Sequence, residues 1–221
     1  MIGAIRTWDI LKNPIVTIRC FGWRVFSRSI FAWRKVTFLD LLSNTDYFHA
    51  AAPETYSIFH RCVDLELRAE QVYETFAKTF TETRLVSRFF SILALQEQEH
   101  AELLQICYAV ACRSNSKPDK LVPLHDRLPL VEQQMLNVEI SHRNINSLEE
   151  ALRLVIRIES SEVNHLFLSL ITATEVEFID KISAFRDAMS SHLSYICRRI
   201  PEFSPNLALD CNELLGKFSW L

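Results

Sequence analysis

The sequence predicts an all-α fold: an antiparallel four-helix bundle with a long crossover between its second and third helices, preceded by a helical N-terminal extension. Three observations lead there. Only three glycines occur in 221 residues, too few for the turns that an all-β protein needs. Four stretches place apolar residues three and four apart, the spacing that lines one face of a helix. Those stretches begin near Ser/Thr-x-x-Glu boxes or a proline, and further prolines fall after or between them.

Bulk composition narrows the class. The chain is long enough for one sizeable core plus an extra segment. Six cysteines (Cys20, Cys62, Cys107, Cys112, Cys197, Cys211) form no C-x-x-C pair and no regular framework. Reduced thiols in a cytoplasmic protein fit better than disulfides or a zinc ribbon. No signal peptide is expected, and no apolar run is long and charge-free enough to span a membrane. Glycine-rich phosphate loops and G-x-S-x-G elbows are missing. Residues 1–40 carry seven basic and two acidic side chains, so this end is +5 and the remainder, from a total of -3, is -8.

Residues 1–45 read as a basic, aromatic helical segment. Asn13-Pro14 suits a helix start, and Trp8, Trp23 and Trp33 widen the apolar surface. Such an element meets a membrane surface or a membrane complex, or else folds onto its own bundle or a homodimer mate. Nucleic acid is not expected as a partner, because the rest of the chain is acidic.

The bundle is expected over residues 46–200. Its first helix starts near Pro53-Glu54 and runs to about Phe80, with the inward stripe Phe59, Cys62, Glu66, Ala69, Tyr73, Phe76 and Phe80. Thr79-x-x-Glu82 offers a capping box for the second helix, which runs from about Thr83 to Ala111. A joint this short makes the two antiparallel neighbours. Residues 113–146, with Pro118, Pro123 and Pro129, are expected to be the crossover, with short helical turns around residues 130–139. Ser147-x-x-Glu150 caps the third helix, expected to reach about Thr172 with Leu152, Val155, Glu159, Glu162 and Leu166 inward. Thr174-x-x-Glu177 opens the fourth, which Pro201 ends. The tail, 201–221, is expected to pack on the bundle.

Polar residues interrupt these stripes at matching depths. On the second helix Glu97 and His100 share the inward face with Phe90, Leu93 and Leu104, while Glu99 and Glu102 lie off it. Glu66 and His100 are 34 residues apart and Glu159 and His192 are 33 apart, as if two helix hairpins were repeated. Glu66, Glu97, His100, Glu159, Glu162 and His192 thus form a candidate metal set of four carboxylates and two imidazoles. Such donors suit iron or manganese, and zinc can also bind. Buried charges must be paired, hydrogen-bonded or metal-bound, so each residue also has a plain structural alternative. Glu66 could pair with Arg61 or Arg68, His192 could be a hydrogen-bonded core histidine, and Glu159 and Glu162 could face the crossover.

The motifs Glu66-x-x-Ala69-x-x-x-Tyr73, Glu97-x-x-His100-Ala101 and Glu159-Ser160-Ser161-Glu162 resemble those of the ferritin-like diiron superfamily, and within it the rubrerythrin-like proteins. The resemblance covers about residues 57–199. It implies a ferritin-like bundle, two iron ions held by Glu66, Glu97, His100 and Glu159, and reduction of peroxide or dioxygen or oxidation of ferrous iron. It fails on the fourth helix. There Met189-Ser190-Ser191-His192 stands where Glu-x-x-His belongs, and a thioether is a poor ligand for a hard ion. Glu162 would have to supply the missing bridge; otherwise the site holds one metal or none. The rubredoxin-like module is also absent, so electrons would come from a donor protein. The opposing expectation is a non-catalytic ferritin-like scaffold docked through residues 1–45.

Overall fold

A computed structural model describes residues 57–114, 122–161 and 183–218, all inside one compact unit, residues 50–221. The N-terminal segment 1–45, Glu162 and the Thr174-x-x-Glu177 box lie outside the described residues. Among the described residues there are six α-helices and no β-strand. They are α1 (Ser57–Thr79), α2 (Arg84–Ser114), α3 (Val122–His142), α4 (Leu148–Glu159), α5 (Ser183–Phe203) and α6 (Ala208–Lys217), with a 3-10 turn at Pro205–Leu207 before α6.

The first two helices form an antiparallel hairpin, as the short joint requires. Phe76 meets Phe90 near the joint (ring centroids 5.2 Å), while Phe59 meets Tyr108 at the far end (6.1 Å). The joint does not use the expected Thr79 box. The Thr79 hydroxyl donates back to the Thr75 carbonyl at 2.9 Å, inside its own helix. The Thr83 carbonyl instead accepts from the Val86 and Ser87 amides and starts α2. The Ser87 hydroxyl donates across the hairpin to the Ala77 carbonyl.

The crossover differs most from expectation. Residues 122–142 are a continuous 21-residue helix despite Pro123 and Pro129. Pro123 falls in the first turn, where a missing N–H costs nothing. Pro129 removes one interior hydrogen bond, and side-chain packing offsets that loss. Leu124, Leu128, Val131, Met135 and Val138 are buried at alternating four- and three-residue spacing. Two forked ion pairs then fix α3 to α1. Arg61 donates to both carboxylate oxygens of Glu132 (2.8 and 2.6 Å), and Arg68 to both of Glu139 (2.6 and 2.9 Å). Each step is one heptad on both helices, so α1 and α3 run parallel.

At α4 the Ser147 box forms as expected. The Ser147 hydroxyl accepts from the Glu150 amide, and the Glu150 carboxylate accepts from the Ser147 amide, both at 3.3 Å. The helix ends at Glu159 rather than near Thr172, with a turn at Ser160 and a bend at Ser161. At its far end α5 passes through Pro201 to Phe203. There the Ser204 amide still reaches the Ile200 carbonyl at 2.8 Å, and Phe203 packs on Phe89 (5.5 Å). Tertiary contact therefore outweighs the local bias of a residue preceding proline. Beyond it, α6 buries Cys211 and Leu214. Cys197 of α5 donates its thiol to the Cys211 carbonyl at 3.3 Å, and Arg153 of α4 reaches Asp210 at 3.4 Å.

Candidate metal centre

Helix periodicity and burial bring the polar residues together. Tyr73 and Glu66 lie on the inward face of α1, Glu97 and His100 on that of α2, Glu159 at the last turn of α4 and His192 on α5. Each is at most 4% exposed. The apolar residues around them on the same stripes, among them Phe76, Phe90, Leu93, Leu104, Leu152 and Val155, are at most 2% exposed. Water is thereby kept from one pocket containing three carboxyls, two imidazoles and a phenol.

Two trios of ligand atoms emerge. Glu66, Glu97 and His100 bring one atom each within 4.8 Å of one another, and so do Glu97, Glu159 and His192. Glu97 belongs to both. His100 Nδ1 lies 3.0 Å from Glu97 Oε2. His192 Nε2 lies 3.0 Å from Glu159 Oε2 and 3.5 Å from Glu97 Oε1. The two imidazoles meet edge to face at 5.1 Å. The Tyr73 hydroxyl donates to Glu159 Oε1 at 2.6 Å, and His192 Nδ1 lies 3.0 Å from Gln96 Oε1.

The plain alternative for Glu66 is excluded by α3. Arg61 and Arg68 are held by Glu132 and Glu139. Glu66 Oε1 is left buried with no hydrogen-bond partner, as is Glu97 Oε1, whose 3.5 Å contact with His192 is not a hydrogen bond. Two buried carboxylate oxygens without donors are an unusual cost. Glu159 meets Tyr73 and His192. Glu162 is not among the described residues, and α4 stops short of it at a turn. The unbroken helix expected to carry both acids thus ends at Glu159.

Electrostatics separate the two trios. Burial, then the charge of Glu97, pushes the Glu66 carboxyl well above the usual carboxylate range. Burial and the nearby Glu159 raise Glu97 to about 7. Burial, helped by the charge of His192, lowers His100 to about 4. For His192 burial also works downward, but Glu159, by charge and hydrogen bond, and Glu97 outweigh it and raise it to about 9. Without a cation, then, His100 is a neutral imidazole against Glu97, whereas His192 is an imidazolium paired with Glu159. Burial and then the charge of Glu159 also push the Tyr73 phenol well above its ordinary value. Like charges at this range cannot all ionise unless something positive enters.

These buried Glu and His groups could hold a metal ion. The donor set is hard oxygen plus imidazole nitrogen, and the partnerless oxygens of Glu66 and Glu97 are acceptors in want of a cation. On both counts the residues fit a divalent metal. No protein-family model matches the chain. Neither the curated proteins nor the solved structures give a match. Two contributors went unassigned in the sequence. Gln96 sits beside the motif with no spacing to single it out. Tyr73 falls on the stripe, but its bond to Glu159 joins residues 86 apart. Among the described residues no helix is long and apolar enough to cross a membrane.

Proposed function

We propose that the chain is a ferritin-like, dinuclear metal protein whose helices form a four-helix bundle, and that it is an oxidoreductase acting on peroxide or dioxygen or oxidising ferrous iron. The observation behind this reading is the membership of Glu97 in both trios. A carboxylate has two oxygens and can serve two cations, as carboxylate-bridged centres in helix bundles require. Glu66 and His100 would complete one position, Glu159 and His192 the other. The donor set suits iron or manganese, and zinc is also compatible; iron is the metal the resemblance implies. A bound iron pair would supply the two electrons that, with two protons, turn hydrogen peroxide into two waters; a donor protein would return them.

The remaining work falls to the chain's own residues. Glu97 balances two positive charges at once. The Tyr73 hydroxyl holds Glu159 Oε1 and so leaves Oε2 turned to His192. The apolar wall keeps bulk water away and strengthens every interaction inside. A second reading, a scaffold with a degenerate site, is supported by residue 189. It lies in α5 one turn before His192 and is methionine, so each trio has three protein ligands and only one carboxylate is shared. Under either reading, residues 1–45 would dock the protein to a dimer mate or an anionic membrane. Anaerobic loading with ferrous iron, followed by metal analysis, tests the proposal. About two ions per chain with peroxide consumption are expected. Wild-type protein that takes up no metal, and gains it only as Met189→Glu, would establish the scaffold instead.

A further inference from the structure

His192 crosses between three helices, and its two ring nitrogens have different neighbours. Nε2 faces carboxylates, Glu159 Oε2 at 3.0 Å and Glu97 Oε1 at 3.5 Å. Nδ1 faces the amide oxygen of Gln96 at 3.0 Å. An amide oxygen only accepts, so Nδ1 must keep its hydrogen whether the ring is neutral or charged. Nε2 is therefore the nitrogen free to give its lone pair to a cation. His100 is oriented the other way, because its Nδ1 lies against Glu97.

A ligating imidazole needs its second nitrogen held by an acceptor, which fixes both tautomer and ring plane. We propose that Gln96 is the positioning residue for metal at the Glu97–Glu159–His192 trio, holding Nδ1–H so that Nε2 faces the ion. This rests on the dinuclear reading above. Glutamine suits the place chemically. A carboxylate there would add a fourth acid to a pocket that already buries Glu66, Glu97 and Glu159, and like charges at close range oppose one another's ionisation. The amide gives the acceptor without the charge. Gln96 also precedes Glu97 on α2, so one helix turn sets both the shared carboxylate and the ring that must point at it.

The test is a cobalt(II) titration of the full chain, followed by visible absorption and calorimetry, with histidine nitrogen NMR of the metal-free protein alongside. Wild type should take up two ions and show His192 protonated at Nδ1. Gln96→Leu should weaken one ion by about 10–100-fold, leave the other near wild type, and lose the slowly exchanging Nδ1–H signal. Gln96→Glu keeps an acceptor at the same reach and should restore the Nδ1–H signal and part of the lost affinity, the remainder being the cost of a fourth acid. Two outcomes overturn the inference while leaving the dinuclear reading intact. One is Gln96→Leu binding both ions like wild type; the other is loss of both ions together, unrestored by Gln96→Glu, which marks a merely structural role. Wild type that binds no cobalt overturns the dinuclear reading itself, and this inference with it.

Discussion

Glu66 shows how far a single side chain can be read. Its place on an apolar stripe was legible, because a lone acid among Phe59, Cys62, Ala69 and Tyr73 breaks a helical period. What it pairs with was not, since Arg61 and Arg68 were as near in sequence as any metal ligand. Only α3, which takes both arginines through Glu132 and Glu139, leaves Glu66 Oε1 without a partner. An oxygen buried in this way costs the fold. An apolar side chain in its place removes the cost of burying an oxygen without a partner. Glu66→Met should therefore raise the stability of the metal-free protein, by about 1 kcal/mol, while costing one of two bound ions. Denaturant melts with and without metal measure both, and a less stable metal-free variant would mean that the contact of Glu66 with Glu97 outweighs its partnerless oxygen. Glu97→Ala differs in kind, because Glu97 belongs to both trios. It should remove both ions in the same metal analysis.

At the scale of the helix, side-chain period marks α1, α2 and the start of α4, where the Ser147 box agrees with it, while the Thr79 box and the far end of α4 do not follow the local signal. The crossover helix escapes a local reading for a physical reason. Three prolines between 118 and 129 argue locally against a helix, and that local signal hid the stripe Leu124, Leu128, Val131, Met135, Val138. The heptad match of Arg61 and Arg68 with Glu132 and Glu139 was equally present but joins residues 71 apart, which no local pattern reports. If α3 is a core element, truncating it must be costly. Leu128 is fully buried, so Leu128→Ala should destabilise by about 3 kcal/mol. A cost below about 0.5 kcal/mol, the scale of surface changes, would return the segment to a loop. Charge reversal at Arg68 and Glu139 together should recover most of what either loses alone. The coupling expected of a half-buried, forked pair is about 1 kcal/mol, read from a double-mutant cycle.

For the whole molecule, the buried cluster ties stability to pH, and the sign differs between its two histidines. His192 is raised from 6.5 to about 9, so the fold favours its protonated form. Its contribution is complete below pH 6.5 and is lost as pH rises through 9. Glu97, raised from 4.5 to about 7, acts in the same sense, complete below pH 4.5 and lost as pH rises through 7. His100 is lowered from 6.5 to about 4 and acts oppositely: its contribution is complete above pH 6.5 and lost as pH falls through 4. The metal-free protein should thus be most stable in weak acid and lose stability on either side. Metal changes this. Ligation requires Glu97 and His192 without their protons, so uptake must release protons and strengthen as pH rises from about 6.5 to 9. The gain in melting temperature from saturating zinc or cobalt should grow over the range in which the metal-free form weakens. Thermal melts at successive pH values, with and without metal, test both slopes together. A metal-free melting temperature that rises steadily from pH 6.5 to 9 would contradict the imidazolium assigned to His192. A metal-induced gain that shrinks over that range would contradict proton displacement from the shared carboxylate.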